Sequence, residues 1–334
     1  MRVTIKEVAA EAGVSYQIVS AILGNCSYAR ASEATRKKVR EAAEKLGYVP
    51  NISARTLKGG SSGMIGVLID PLATQTAFNI LFELEKRAAS CNCRLLISEA
   101  HDNPNRLKDA CKEMRQYGVD GIIALAHTYP GIGKLTDGLD ENFPLIPVLD
   151  SLPGNYSAVV NDTVSGIAGA AQHLLDSGYQ EVVMLTSDNL EYPTTLQRLE
   201  GFRKVLPENR IFGYKHSDGS ELPVDAIRSV VPRILSHGAD AIVCYNDFVA
   251  AAVIRELRRH KVRVPEDIGI TGFDNTPWCT VLDPSLTSVA PDFASVAENA
   301  FKLLEQRMAG NKENIYITVP PRLEIRESSV KHTK

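Results

Sequence analysis

The sequence contains no apolar run approaching the roughly 20 residues of a membrane span. Its first residues, Met1-Arg2-Val3-Thr4-Ile5-Lys6-Glu7, lack the apolar stretch of a secretory signal, so a cytoplasmic protein is expected. Six cysteines, at 26, 91, 93, 111, 244 and 279, show no zinc-ligand spacing, and Cys91-Asn92-Cys93 is the one close pair. Without an export signal these are read as reduced thiols. Catalytic signatures are also missing. Gly131-Ile132-Gly133-Lys134-Leu135 fails as a phosphate loop, because Thr128 stands where the first glycine belongs and Leu135 where Ser or Thr belongs. No glycine-rich dinucleotide fingerprint follows the first core strand. The Gly-x-Ser-x-Gly spacing occurs in Gly59-Gly60-Ser61-Ser62-Gly63, a glycine-serine linker rather than a strand-to-helix elbow, and there is no His-Glu-x-x-His and no Cys-x-x-Cys. The histidines, at 101, 127, 173, 216, 237, 260 and 332, do not pair at metal-ligand spacing. Nothing here argues for an enzyme, a metal centre or a cofactor.

What the sequence does have is an uneven charge. Residues 1–63 carry ten Lys and Arg against five Glu and no Asp, a net +5, so the overall −3 leaves −8 on the rest. A basic head on an acidic body suits an anionic partner such as nucleic acid, although a charged helix in water can look the same.

The first 47 residues read as three short helices. Thr4 and Glu7 have capping-box spacing, and Ile5, Val8, Ala9 and Ala12 share one face. Gly13 ends that helix. Ser15 caps a second, with Val19, Ile22 and Leu23 inward and Tyr16, Gln17 and Ser20 toward the outer face; Gly24-Asn25 stops it. Ser32 caps a third, which closes at Gly47. Two helices joined by Ala12-Gly13-Val14-Ser15 make a helix-turn-helix, whose second helix fits the major groove. Gln17 can bond adenine in bidentate fashion, and Tyr16 offers a hydroxyl and a ring edge for a thymine methyl. Ser15 and the amide end of the helix suit a phosphate, with Lys6, Arg30, Arg36 and Lys37 as further phosphate contacts. The run Gly59-Gly60-Ser61-Ser62-Gly63 is a flexible linker by composition. Pro50-Asn51 can start a helix of about two turns, too short to be stable in water alone.

From Met64 the pattern changes to short apolar runs alternating with amphipathic segments. Strands are expected at 65–70, 94–98, 121–126, 146–150, 182–187, 241–246 and 268–274. Helices are expected at 78–91, 105–117, 164–177, 224–236 and 248–260. Apolar strands separated by helices mean parallel, doubly wound sheets, and this many units imply two α/β lobes. Strand ends carry Asp70, Asp150, Asp162, Asn246-Asp247 and Asp274-Asn275. Ligands bind beyond the carboxyl ends of such strands, although any single Asp or Asn there can be a helix cap.

The residues resemble the lactose-repressor (LacI/GalR) family of bacterial transcription regulators. The resemblance runs through Val3-Thr4-Ile5-Lys6-Glu7-Val8-Ala9, Ala12-Gly13-Val14-Ser15, Leu46-Gly47-Tyr48-Val49-Pro50-Asn51 and Ala54-Arg55-Thr56-Leu57. It continues in Gly118-Val119-Asp120-Gly121, Arg198-Leu199-Glu200-Gly201-Phe202, Asn246-Asp247, Gly272-Phe273-Asp274 and Asp283-Pro284-Ser285-Leu286-Thr287. It implies an all-α helix-turn-helix head (1–47), a hinge helix and linker (48–63), and a two-lobed core like the periplasmic binding proteins (64–334). The N-lobe is expected at about 64–160 plus 291–320, and the C-lobe at about 161–290 plus 321–334.

The function implied is a repressor of a catabolic operon. It would bind a pseudo-palindromic operator in double-stranded DNA as a homodimer, controlled by a carbohydrate effector between the lobes. The DNA-contacting set is Thr4, Ser15, Tyr16, Gln17, Ser20, Asn25, Arg30, Asn51, Ala54, Arg55, Leu57 and Lys58, with Leu57 the wedge at the central base step. The effector set is Asp162, Arg198, Asn246 and Asp274, types that suit paired hydroxyls. Glu327–Lys334 lacks a leucine heptad, which favours a dimer over a tetramer.

The sequence also departs from the family. Ala21 replaces an arginine of the recognition helix, Thr74-Gln75-Thr76-Ala77 replaces an Asn-Pro-Phe-Phe type segment, and Pro291 replaces a common glutamine. The aromatic often found near 215–222 is missing; Trp278 is either a substitute stacking platform or an interface residue. Two other readings stand beside the regulator: a sugar-binding module with a vestigial head, and an enzyme on a doubly wound fold.

Overall fold

The computed structural model describes residues 3–23, 31–48, 61–69, 75–99, 104–125, 143–148, 156–190, 192–215 and 223–331. The chain divides into two compact units, Met1–Ser62 and Gly63–Lys334.

In the first unit, α1 (Ile5–Ala12), α2 (Tyr16–Leu23) and α3 (Glu33–Lys45) enclose a small core of Val8, Ala9, Val19, Ile22, Val39, Ala42 and Ala43. Each helix starts where its cap residue sits. Glu7 reaches back to accept from the Thr4 amide at 2.6 Å and the Thr4 hydroxyl at 2.8 Å, which holds the Glu7 carboxyl below its ordinary range. Ser15 Oγ accepts from the Ile18 amide at 3.4 Å, and Ser32 Oγ from the Thr35 amide at 3.2 Å. Gly13 ends α1 at φ 65, a left-handed conformation that only glycine adopts without cost and that redirects the chain into α2. Lys45 on α3 pairs with Glu11 on α1 at 2.6 Å.

The second unit holds two layered α/β lobes. The N-lobe sheet takes β1 (Met64–Ile69), β2 (Arg94–Glu99), β3 (Gly121–Leu125) and β4 (Leu145–Pro147) in the order β2-β1-β3-β4, all parallel. The bridge Val148–Val159 joins these to β5 (Ala158–Asn161), which pairs in parallel with β11 (Tyr316–Val319). Helices α4 (Gln75–Ser90) and α5 (Pro104–Gln116) connect the first strands.

The C-lobe begins with α6 (Thr163–Asp176) and continues through β6 (Val182–Ser187), α7 (Pro193–Arg203) and β7 (Ile211–Tyr214). There follow α8 (Val224–Ser236), β8 (Ala241–Cys244), α9 (Asp247–Arg259), β9 (Gly269–Phe273) and β10 (Thr287–Ala290). After β10 the chain returns to the N-lobe as α10 (Phe293–Met308), which packs on α4, then β11, and returns to the C-lobe as β12 (Arg322–Glu324). The C-lobe sheet order is β12-β10-β9-β8-β6-β7, parallel except for β12. Its strands are apolar runs buried on both faces, as a helix-covered parallel sheet requires. The strand order reverses at β1/β3 in one lobe and at β6/β8 in the other, which are the switch points where doubly wound sheets bind ligands.

Several elements end earlier than the sequence pattern suggests. β8 stops at Cys244, because Asn246 caps α9; β9 stops at Phe273, because Asp274 takes φ 96 and Asn275 φ 45. The short strands β7, β10, β11 and β12, and the helices α7 and α10, carried no strand or helix expectation.

Candidate functional site

In the head, α2 buries Val19 and Ile22 and turns Tyr16 and Gln17 to solvent, with Tyr16 48% exposed. Ser20 is half-buried beside them, and Ser15 is exposed while capping the helix. The exposed first turn of α2 thus carries a phenol, an amide and backbone donors, a set that can read base edges and hold a phosphate. The Thr4 hydroxyl is exposed and bonded to Glu7. On α3, Arg36 lies 3.8 Å from Glu33 and Lys37 3.8 Å from Glu41. The Lys37–Glu41 pair is exposed and loose, worth about 0–1 kcal/mol, so Lys37 can turn to a phosphate at little cost. Asn25, Arg30, Asn51, Ala54, Arg55, Leu57 and Lys58 lie outside the described residues.

In the core, Arg198 on α7 is the centre of the arrangement. It is 4% exposed, and its Nε donates to the Tyr245 carbonyl at 2.9 Å. Its guanidinium lies 4.2 Å from the Tyr245 ring and 4.6 Å from the Phe273 ring, a cation–π contact on each. Tyr245 precedes Asn246 and Phe273 precedes Asp274, so Arg198 gathers both strand ends around itself. Among the described residues, its Nη1 is buried without a hydrogen-bond partner, and so are Thr195 Oγ1, one turn earlier on α7, and Asn161 Oδ1 at the end of β5. A buried polar atom left unpaired costs about 1–3 kcal/mol, which a polar ligand could offset.

Asp274 is 8% exposed, and its Oδ1 accepts from Thr76 Oγ1 on the N-lobe helix α4 at 2.9 Å. Beside it, Asp247 is 3% exposed and accepts from Ser288 Oγ at 2.5 Å and from the Thr276 amide at 2.7 Å. Burial, with the neighbouring Asp274 carboxylate, pushes the Asp247 carboxyl up to about 6. Asn246 and Asp162 are both half-buried caps. Asn246 Oδ1 accepts from the Val249 amide at 3.0 Å, and Asp162 Oδ1 from the Ser165 amide at 2.9 Å. Among the described residues, no hydrogen bond of the Asp162 side chain ties it to the Arg198 cluster. The cap engages one side-chain oxygen of each. Trp278 is 71% exposed on a short turn after β9, with Val281 equally exposed next to it.

Sequence reasoning placed Asp247 at a strand end but missed Thr76, Thr195 and Tyr245 as members of this cluster. A signal existed for Thr76, which lies in the segment that departs from the family pattern. Thr195 and Tyr245 are unremarkable residue types brought in by packing.

A small helical head whose second helix exposes polar side chains, joined to a two-lobed α/β core with a buried polar cluster at its strand ends, defines a ligand-responsive DNA-binding regulator. Residues 4–51 match the bacterial regulatory proteins of the lacI family, and residues 171–329 match the periplasmic binding protein-like domain. The head thus matches the lacI family of bacterial regulatory proteins, and the chain is similar over nearly its whole length to transcriptional regulators. It is 28% identical to the HTH-type transcriptional regulator DegA of Bacillus subtilis (strain 168), over 98% of each chain. It is 27% identical to the HTH-type transcriptional repressor PurR of Mannheimia succiniciproducens, over 97% of this chain and 98% of that one. The fold is similar to that of the lac repressor dimer bound to operator and the anti-inducer ONPF, with a TM-score of 0.83 and 26% identity, covering 99% of this chain and 100% of that one. These relatives are transcriptional regulators, and this chain is a DNA-binding transcriptional regulator. Among the described residues, no helix is long and apolar enough to cross a membrane.

Proposed function

We propose that this protein is a cytoplasmic repressor of a catabolic operon whose operator affinity is set by a small carbohydrate bound between its core lobes. Arg198 carries the reading: a buried guanidinium, fixed by the Tyr245 carbonyl and two rings, with one nitrogen left for a ligand hydroxyl. Asp274, Asn246 and Asp162 supply acceptors from neighbouring strand ends. The head of residues 1–47 reads a half-site through Ser15, Tyr16, Gln17 and Ser20, with Thr4, Asn25 and Arg30 on the backbone. The hinge, with Asn51, Ala54, Arg55, Leu57 and Lys58, engages the centre of the site.

A homodimer is supported by exposed apolar side chains: Phe78 and Phe82, one turn apart on α4, Ile97 on the edge strand β2, and Trp278 and Val281 in the C-lobe. Neighbouring apolar side chains such as Phe78 and Phe82 are suited to a protein interface. A palindromic site matches the two-fold symmetry of such a pair.

The test is selection of random duplex DNA by the full-length protein, followed by titration of the selected site with a panel of sugars. The expected result is a palindrome with a flexible pyrimidine–purine step at its centre, and one sugar that shifts operator affinity. By linkage, operator DNA shifts the affinity for that sugar by the same factor. A selected palindrome that no sugar affects would remove the carbohydrate from this reading. Absence of enrichment with every sugar present would remove the repressor.

A further inference from the structure

Among the described residues, a pair of thiols lies outside both sites: Cys91 and Cys93, at the turn from α4 into β2. Helix α4 ends at Ser90, Asn92 takes φ 60, and the Cys93 amide donates back to the Ala88 carbonyl at 2.9 Å. Two residues span roughly 7 Å when fully extended. A turn shortens that distance into the Cα separation of about 4.4–6.8 Å that a disulfide needs. Cys93 Sγ lies 3.7 Å from the Cys91 carbonyl oxygen.

The two thiols have different surroundings. Cys91 is partly exposed, and its sulfur accepts from the Arg87 guanidinium, with Ser90 Oγ at 3.8 Å. Arg87 is held there by Glu298 at 2.8 Å and Glu305 at 3.6 Å, both on α10. Cys93 packs against the N-lobe core, and burial pushes its thiol up. Cys111, Cys244 and Cys279 are buried. Oxidants select partly exposed thiols that sit beside a cation and near a second, resolving thiol.

We propose that Cys91 and Cys93 form a modification site for hydrogen peroxide, with Cys91 the attacking sulfur and Cys93 the resolving one. Cys91 Sγ attacks one peroxide oxygen: an S–O bond forms, the O–O bond breaks, and the departing oxygen leaves as water with the proton that Cys91 gives up. Arg87 stands where it can donate to that oxygen. Cys93 Sγ then attacks the Cys91 sulfenic acid. An S–S bond forms, the S–O bond breaks, and the hydroxyl leaves as a second water with the Cys93 proton. Two thiols lose two electrons, and one peroxide is reduced to two waters. The next residue, Arg94, donates its amide to the Gly63 carbonyl at 2.7 Å, so the ring closes beside the first residue of the core.

The test treats reduced, full-length protein with a small excess of hydrogen peroxide and maps its peptides by mass. The peptide holding Cys91 and Cys93 should lose the mass of two hydrogens, reversibly with dithiothreitol, while Cys111, Cys244 and Cys279 stay reduced. In Cys93→Ser, a sulfenic acid should persist on Cys91 and be trapped by dimedone. Arg87→Gln, checked for an unchanged circular dichroism spectrum, should slow the reaction several-fold. If that variant does not fold, the rate of Cys91 against glutathione in the same tube decides. Oxidation of Cys91 no faster than glutathione would overturn the site. Sulfenic acid accumulating in the unaltered protein without a Cys91–Cys93 bond would overturn the resolving role.

Discussion

Thr76 Oγ1 donates to Asp274 Oδ1 at 2.9 Å, joining the first turn of N-lobe helix α4 to the end of C-lobe strand β9. The partners are separated by 198 positions and both are buried. Thr76 stands in the segment where the sequence departs from the family pattern. Its hydroxyl occupies one oxygen of the aspartate expected to meet the effector, so the lobes are held to each other by the protein's own side chains at this point.

Replacing Thr76 by Val keeps the shape and removes the donor, leaving a buried carboxylate oxygen unpaired. The expected loss is about 1–3 kcal/mol in urea unfolding, with Thr76→Ser retaining most of the stability. A Thr76→Val protein as stable as the parent would show that this bond contributes nothing.

Asp247 makes stability depend on pH in a defined direction. Its folded carboxyl is raised to about 6 from 3.8, so its contribution is fully present below about pH 4 and is lost as pH rises through about 6. Asp247→Asn removes this titration. Relative to the variant, the parent should lose roughly 2–3 kcal/mol between pH 4 and 7, since each pKa unit is about 1.4 kcal/mol. Parallel unfolding curves across that window would count against a raised Asp247.

Tyr16 and Gln17 are exposed, so Tyr16→Ala and Gln17→Ala should change stability by no more than about 0.5 kcal/mol. Operator affinity should fall by about 1–3 kcal/mol in each variant through the missing base-edge interaction, and discrimination at one base pair per half-site should relax. Equal weakening on every sequence would instead assign these residues to the phosphates.

Arg198→Met retains much of the side-chain length and the apolar packing on Tyr245 and Phe273 but removes every donor. Operator binding without effector should persist, and the response to the effector should weaken at least about tenfold, the loss of one charge-assisted bond. Fluorescence anisotropy of labelled operator, titrated with effector, reads both. A full response from the variant would exclude Arg198 from the site.

Gly201 on α7 has no room for a side chain, because an added Cβ would stand 2.5 Å from the Val164 carbonyl oxygen on α6. Gly201→Ala should therefore cost about 1–3 kcal/mol by forcing the two helices apart, against the usual gain from alanine in a helix. Thermal unfolding measures it, and a stabilised variant would contradict the close packing.

How much was legible follows from range. Caps act across three residues, so Thr4 with Glu7, Ser32 with Thr35 and Asn246 with Val249 could be read directly from spacing. The exposed face of α2 followed from its helical period, and the parallel sheets from unbroken apolar runs such as Val182–Ser187. The family pattern pointed to Arg198 and Asp274.

The rest depended on contacts that no local pattern encodes. Strands of three or four residues, such as β7 and β12, carry too few side chains to show a period, and their place is set by the sheet edge they join. By itself, then, the sequence determined the helix-turn-helix head, the α/β character of the core and the residue types at its strand ends, because those rest on caps and periodicity. Only the tertiary structure decided that Thr76 meets Asp274, that Arg198 lies between the Tyr245 and Phe273 rings, and that Arg87 meets Cys91 while held by α10. Each of those is an interaction between side chains brought together by how the elements pack, which no short stretch of sequence records.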